Sequence, residues 1–238
     1  WADSMVAAGI FLAAAMLFFP AIAHSRKQAA IMQCQNNLRQ LGAALVGYSQ
    51  NHQGEFPLVP TDGNLAVAGM YAPALKEAEL VESDSLFVCP GSQLAREGEF
   101  VVPTTSTVER TQGKERVLLQ RRLGDSYGYA FGYTDNDGRY CANVNRSRPR
   151  FALLADAPSL HLEDRKSANH GGCGQNVLFE DMHAAYLQHC CMIESTDNVF
   201  LSDRGFVEAG LHYNDAVIGN SAAGPILRRF LASKRLGQ

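Results

Sequence analysis

From Met5 to Ala23 the chain reads MVAAGIFLAAAMLFFPAIA, without a charged or strongly polar position. At a rise of about 1.5 Å per residue, a helix of this length nearly crosses the roughly 30 Å hydrocarbon core of a bilayer. Core helices of soluble domains are rarely apolar on every face for so long. After Pro20 the pattern becomes one-sided. Ile31, Cys34, Leu38, Leu41, Leu45 and Tyr48 recur at three- and four-residue steps, while Arg26, Lys27, Gln28, Gln35, Asn36, Arg39 and Gln40 fall off that stripe. The two patterns predict one helix from Ala2 to about Gln53, its first half suited to lipid or a protein bundle and its second half to covering a domain. Pro20 removes one backbone hydrogen bond and is expected to bend the helix. Gly54 is the expected stop, with Phe56-Pro57 turning the chain away.

Beyond the helix the pattern is shorter-ranged. Asn64 to Val81 reads as two helical pieces broken at Pro73, and Phe87 to Gly91 as a short strand entering a turn. Arg96 to Thr111 is a polar excursion, and Thr111 to Arg122 a short helix. Ser126 to Tyr133 alternates strictly: Tyr127, Tyr129, Phe131 and Tyr133 face one way, Gly128, Ala130 and Gly132 the other. That is a strand with an aromatic face, expected to be core against the long helix, and a face that something approaches closely. Phe151 to Asp156 is a buried strand, and His161 to Ala168 a polar loop. Asn176–Phe179 and Ala184–Leu187 predict a hairpin around Glu180-Asp181-Met182-His183, and Asn198–Leu201 with Phe206-Val207 a second one. A small-residue link and a basic tail close the chain.

The 238 residues leave enough, after the helix, for one ordinary domain. A net charge of −3 with only short basic clusters argues against nucleic acid as the main partner. Six cysteines (Cys34, Cys89, Cys141, Cys173, Cys190 and Cys191) are scattered without a CxxC pair. Beside a membrane segment, that usage fits disulfides in an oxidising compartment, and all six are disulfide candidates. Arg26 and Lys27 follow the apolar run, and the positive-inside tendency alone would put the domain in the cytoplasm. The cysteines point the other way and are given more weight.

Candidate chemistry is sparse. His170, His183 and His189 lie near Cys173, Cys190 and Cys191 in sequence, but their spacing is irregular for zinc, and no metal set is read there. Asp135-Asn136-Asp137-Gly138 is similar to the start of a calcium loop, which makes Asp135 and Asp137 weak calcium candidates; a turn explains the same residues. Ser159, His161 and Asp156 are neighbours without triad spacing, and the common nucleophile, zinc-protease and phosphate-loop motifs are absent. No catalytic residue and no cofactor is expected.

The N-terminal third resembles type IV pilins and pseudopilins, in which an apolar helix starts near an acidic residue, meets a proline and continues under a sheet. Asp3, the apolar run, Pro20 and the half after His24 match in that order. Cys34-Gln35-Asn36-Asn37-Leu38-Arg39-Gln40-Leu41-Gly42 followed by Phe56-Pro57 is similar to the planctomycete family of pilin-like proteins. That family ends in a motif of His, nine residues and Asp-Gly. Here the counterpart runs from His170-Gly171-Gly172 to Asp181-Met182-His183, one residue longer and with Met182 in the glycine position. The resemblance implies an α+β pilin-like fold: a long N-terminal helix packed by its second half on an antiparallel sheet. The expected division is a transmembrane or assembly helix at 1–53, a globular domain at 54–222 and a basic tail at 223–238. It also implies a structural subunit of a pilus-like filament, anchored in the inner membrane or displayed at the surface. Assembly would run through Asp3, Ala7, Gly9, Ala13, Phe18 and Pro20, small residues such as Ala8 and Ala14 allowing close helix approach. The alternative is a single-pass envelope sensor or binding protein, an anti-sigma-like regulator, that never polymerises.

Overall fold

The computed structural model describes residues 1–190 and 198–226. Helix α1 spans Ala2–Asn51 as one element with Pro20 inside it. It ends where Gln53 and Gly54 take positive φ (57° and 87°) and the Gly54 N–H bonds back to the Ser49 carbonyl. This left-handed exit is the usual way to satisfy the last helical carbonyls. The stripe read from the sequence is the buried one: Ile31, Cys34, Leu38, Leu41 and Leu45 are buried, while Arg26, Lys27, Gln28, Asn36, Arg39 and Gln40 are exposed. Met5, Phe11, Leu12, Met16, Leu17, Phe18 and Phe19 are exposed, and the apolar window of the helix buries 0% of its residues in the protein.

The chain then forms α2 (Tyr71–Glu77), α3 (Thr105–Arg110) and α4 (Gly113–Arg122). Seven strands follow among the described residues: β1 (Tyr127–Ala130), β2 (Tyr133–Thr134), β3 (Tyr140–Cys141), β4 (Ala152–Asp156), β5 (Gln175–Phe179), β6 (Ala184–Leu187) and β7 (Ile218–Gly219). The main sheet has the order β6-β5-β4-β1-β7, antiparallel throughout, and β2 and β3 make a separate ribbon. The second half of α1 lies across β4, β5 and β6. The fold is therefore α+β, a long N-terminal helix with an apolar first half, packed by its second half on an antiparallel sheet.

Local chemistry explains most elements. Tyr127, Tyr129 and Phe131 are buried, with the Tyr127 hydroxyl reaching α1 and Tyr129 stacked on Tyr71 at 5.0 Å. The aromatic face is core, as its alternation predicts. On the opposite face a Cβ at Gly128 would stand 2.6 Å from the Gly219 carbonyl oxygen, so β7 requires glycine there. The β5–β6 hairpin turns at Glu180-Asp181-Met182, the Met182 N–H bonding to the Phe179 carbonyl and Met182 itself at φ 72°. This is a tight turn closed by a left-handed residue, a position that glycine fills without strain and methionine does not.

Some expectations change. Pro73 breaks nothing: it sits in the first turn of α2, where a missing N–H costs no helical bond. Phe87 to Gly91 is not a strand, because Asp84–Phe87 coil into a 3-10 turn. The polar excursion contains α3, capped by Thr104 Oγ1 accepting from the Thr107 N–H. Ser202 to Gly205 does turn, with the Ser202 N–H bonded to the Phe206 carbonyl, but no paired strands flank it among the described residues. The sheet edge is supplied instead by the two residues of β7. Tail residues 227–238 lie outside the described residues.

Candidate functional site

Two features stand out: the unpaired apolar half of α1, and a buried group of four polar side chains under its other half. Asp3, Ala7, Gly9, Phe18 and Pro20 are all exposed, and Ala13 lies in the same helix. Among the described residues nothing covers this half.

The buried group is built from four separate segments. Cys34 comes from the buried stripe of α1, and Cys89 from the loop after the Asp84–Phe87 turn. Asp156 is the last residue of β4, and His170 lies in a 3-10 turn, Asn169–Gly172, before β5. One donor atom from each lies within 4.8 Å of all the others, and all four residues are buried. The Cys34 thiol donates to Asp156 Oδ1 at 3.2 Å, Cys89 Sγ and His170 Nε2 are 3.3 Å apart, and His170 Nε2 lies 3.3 Å from Asp156 Oδ2.

A surrounding set of contacts fixes these side chains. Asn169 Nδ2 donates to Asp156 Oδ1 at 2.8 Å, and the Asn176 N–H to Oδ2 at 2.7 Å. The Tyr127 hydroxyl donates to Cys34 Sγ at 3.4 Å. Asn37 Nδ2 donates to the Val88 carbonyl at 3.1 Å, tying α1 to the residue before Cys89. His170, Gly171 and Gly172 have φ of 54°, 74° and 71°, a left-handed run that two of the three accept as glycines. The His170 ring packs on Gly91, where a Cβ would stand 2.3 Å from Nδ1. Any side chain at 91 would push the ring out of the group.

The electrostatics follow from burial. Burial pushes the Cys34 thiol well up, and Cys89 and Asp156 add to this against the opposing pull of His170. Burial works to lower the His170 pKa, but hydrogen bonds and charge from Asp156 and Cys34 outweigh it and raise the group to about 9. With the thiols protonated, the group is a buried Asp–His pair flanked by two thiols. With both thiolates formed it presents two sulfurs, one nitrogen and one carboxylate oxygen to a common centre, a donor set suited to zinc.

The disulfide expectation is not met among the described residues. Cys34, Cys89, Cys141 and Cys173 are unbridged. Cys34 and Cys89 meet Asp156 and His170, Cys141 points to Asp135 at 3.8 Å, and Cys173 is exposed. Cys190 is buried beside Gln175, and Cys191 lies outside the described residues.

The motif residues separate. His170, Gly171 and Gly172 build the buried group. Asp181 and His183 sit together in the exposed β5–β6 turn, His183 Nδ1 lying 2.5 Å from Asp181 Oδ1. Asn36 is exposed and Asn37 buried. Asp135 Oδ1 accepts the Asp137 and Arg139 backbone N–H groups at 3.0 and 2.8 Å, which makes it the organiser of the β2–β3 turn. Ser159 Oγ accepts from the His161 N–H, while Asp156 faces inward to His170, so these three sequence neighbours do not converge. Sequence spacing pointed to His170 with Cys173, Cys190 and Cys191, whereas the fold pairs His170 with Cys34, Cys89 and Asp156. The available signal was that Cys34 and His170 head the two family-like motifs.

Comparison with protein-family models, with curated proteins and with solved structures finds no match.

Proposed function

We propose that this chain is a structural subunit of a pilus-like or pseudopilus-like filament, anchored in a membrane before assembly and held in it by its N-terminal helices. The observation that carries the reading is the exposed apolar half of α1, continuous with a half docked on the sheet. An apolar surface of this length is stable only in lipid or against other apolar helices. Small side chains at Ala7, Gly9 and Ala13 allow helices to approach closely. Asp3 lies in the first turn, where free N–H groups and the helix dipole favour a negative charge. In a bundle its carboxylate requires a partner, such as the amino terminus of a neighbouring subunit.

A second reading, a single-pass membrane protein that binds or senses a ligand without polymerising, is favoured by Arg26 and Lys27 directly after the apolar run. Electron microscopy of surface material, with wild type and Asp3→Ala compared, separates the two. Filaments that Asp3→Ala abolishes, with the domain still folded, are the expected result. A wild type that never assembles, or an Asp3→Ala chain that assembles normally, replaces the filament reading with the anchor.

A further inference from the structure

We propose that Cys34, Cys89, Asp156 and His170 bind one zinc ion, which clamps the docked half of α1 to the sheet. A tetrahedral zinc with sulfur at about 2.3 Å and nitrogen or oxygen at about 2.0–2.1 Å sets its donors roughly 3.3–3.8 Å apart. Here Cys34 Sγ to Asp156 Oδ1 is 3.2 Å, Cys89 Sγ to His170 Nε2 is 3.3 Å, and His170 Nε2 to Asp156 Oδ2 is 3.3 Å. The remaining pairs fall within 4.8 Å. The two short contacts to Asp156 use different oxygens, so the carboxylate turns to offer one of them while the other three atoms draw in on a common ion.

Three further observations point to a ligand. His170 Nδ1 is buried with no partner, so the ring is oriented by what Nε2 meets and by its packing on Gly91. Asn176 Nδ2 lies 3.1 Å from His170 Nε2 and 3.2 Å from Asp156 Oδ2, so one amide braces both side chains. The Asp156 carboxylate is held by Asn169 and by both nitrogens of Asn176, the support that ligating carboxylates commonly receive. Two thiolates, a carboxylate and a neutral imidazole around a divalent cation leave a single net negative charge. The Tyr127 hydroxyl and the asparagine amides face it as donors.

Four protein ligands leave no open coordination position, and the His170 and Asp156 side chains are 0% exposed. The zinc is therefore structural. Binding releases the thiol protons of Cys34 and Cys89, and the extra proton of the His170 imidazolium, to water. Because the ligands come from four distant segments, the ion binds the folded chain and not the unfolded one, and so adds to its stability.

The test uses the full chain purified in detergent from zinc-supplemented cells. Elemental analysis is expected to find one zinc per chain in wild type and in Cys173→Ser, whose thiol is exposed. Loss of zinc is expected in Cys34→Ser, Cys89→Ser and His170→Ala. Each of these substitutions also removes a buried side chain, so wild type gives the second readout: X-ray absorption at the zinc edge is expected to show two sulfur and two lighter ligands, and a strong chelator is expected to lower the melting temperature. A folded wild type without metal overturns the proposal, whether mass analysis finds Cys34 and Cys89 joined as a disulfide or both thiols free. So does zinc that survives the three ligand substitutions.

Discussion

Asp125 shows how a single buried group can tune stability. It is 5% exposed, its Oδ1 has no hydrogen-bond partner, and its Oδ2 accepts a long bond from Ser126 at 3.3 Å. Burial raises its pKa to about 6, against opposing contributions from Ser126 and Arg122. The folded carboxyl thus holds its proton more tightly than the unfolded one, which titrates near 3.9. Its stabilising contribution is complete below that value and is lost as pH rises through about 6. Asp125→Asn keeps a neutral group at every pH, and asparagine tolerates the φ of 44° found here. Denaturant unfolding at pH 7 is expected to show the variant more stable by on the order of 1–3 kcal/mol, the gap closing towards pH 4. An equal gap at both pH values would mean that the fold does not raise the pKa of Asp125. Glu180 is buried too, but differs in having partners: it accepts from the Arg146 and Arg148 backbone N–H groups and pairs with the Arg148 guanidinium, which stacks on Phe151.

Among the elements, α1 is two helices in one. Leu38 is fully buried on the sheet side, while Leu17 is 75% exposed. Leu38→Ala removes packed volume and is expected to cost about 2–5 kcal/mol in unfolding of the domain. Leu17→Ala is expected to leave that unfolding unchanged within about 0.5 kcal/mol. Equal costs, read by thermal or chemical unfolding in the same detergent, would contradict the division of the helix. The division also places Cys34 in the docked half, one helical turn from Asn37 and Leu38, where helix and zinc group support each other.

For the whole molecule, the relevant quantity is the apolar surface that the fold leaves open. A chain beginning at Ser25 loses that surface but keeps the stripe from Ile31, the sheet and all four members of the buried group. It is expected to run as a soluble monomer on size exclusion, with the circular dichroism of a folded domain and the same bound zinc. Persistent aggregation of this chain would show that the apolar half is needed for folding itself. Retained solubility of the full chain without detergent would show that the half is covered in some other way.

The sequence by itself determined what depends on near neighbours. The helix, its change from all-round to one-sided, its stop near Gly54, the aromatic strand and the Glu180–His183 hairpin are written in periodicities of a few residues, which local backbone geometry converts directly into structure. It could not determine which distant segments meet. Phe87 to Gly91 carried an apolar run, but Phe87 closes the Asp84–Phe87 3-10 turn and the residues after it form no strand, and β7 is too short to have a period. Cys34, Cys89, Asp156 and His170 have no mutual spacing that a motif could register. They meet because α1 packs across the β4–β5 pair, Asn37 draws in the Cys89 loop, and a left-handed turn at His170 aims its ring past Gly91. Each of these contacts joins residues far apart in the chain, so only tertiary packing could decide them.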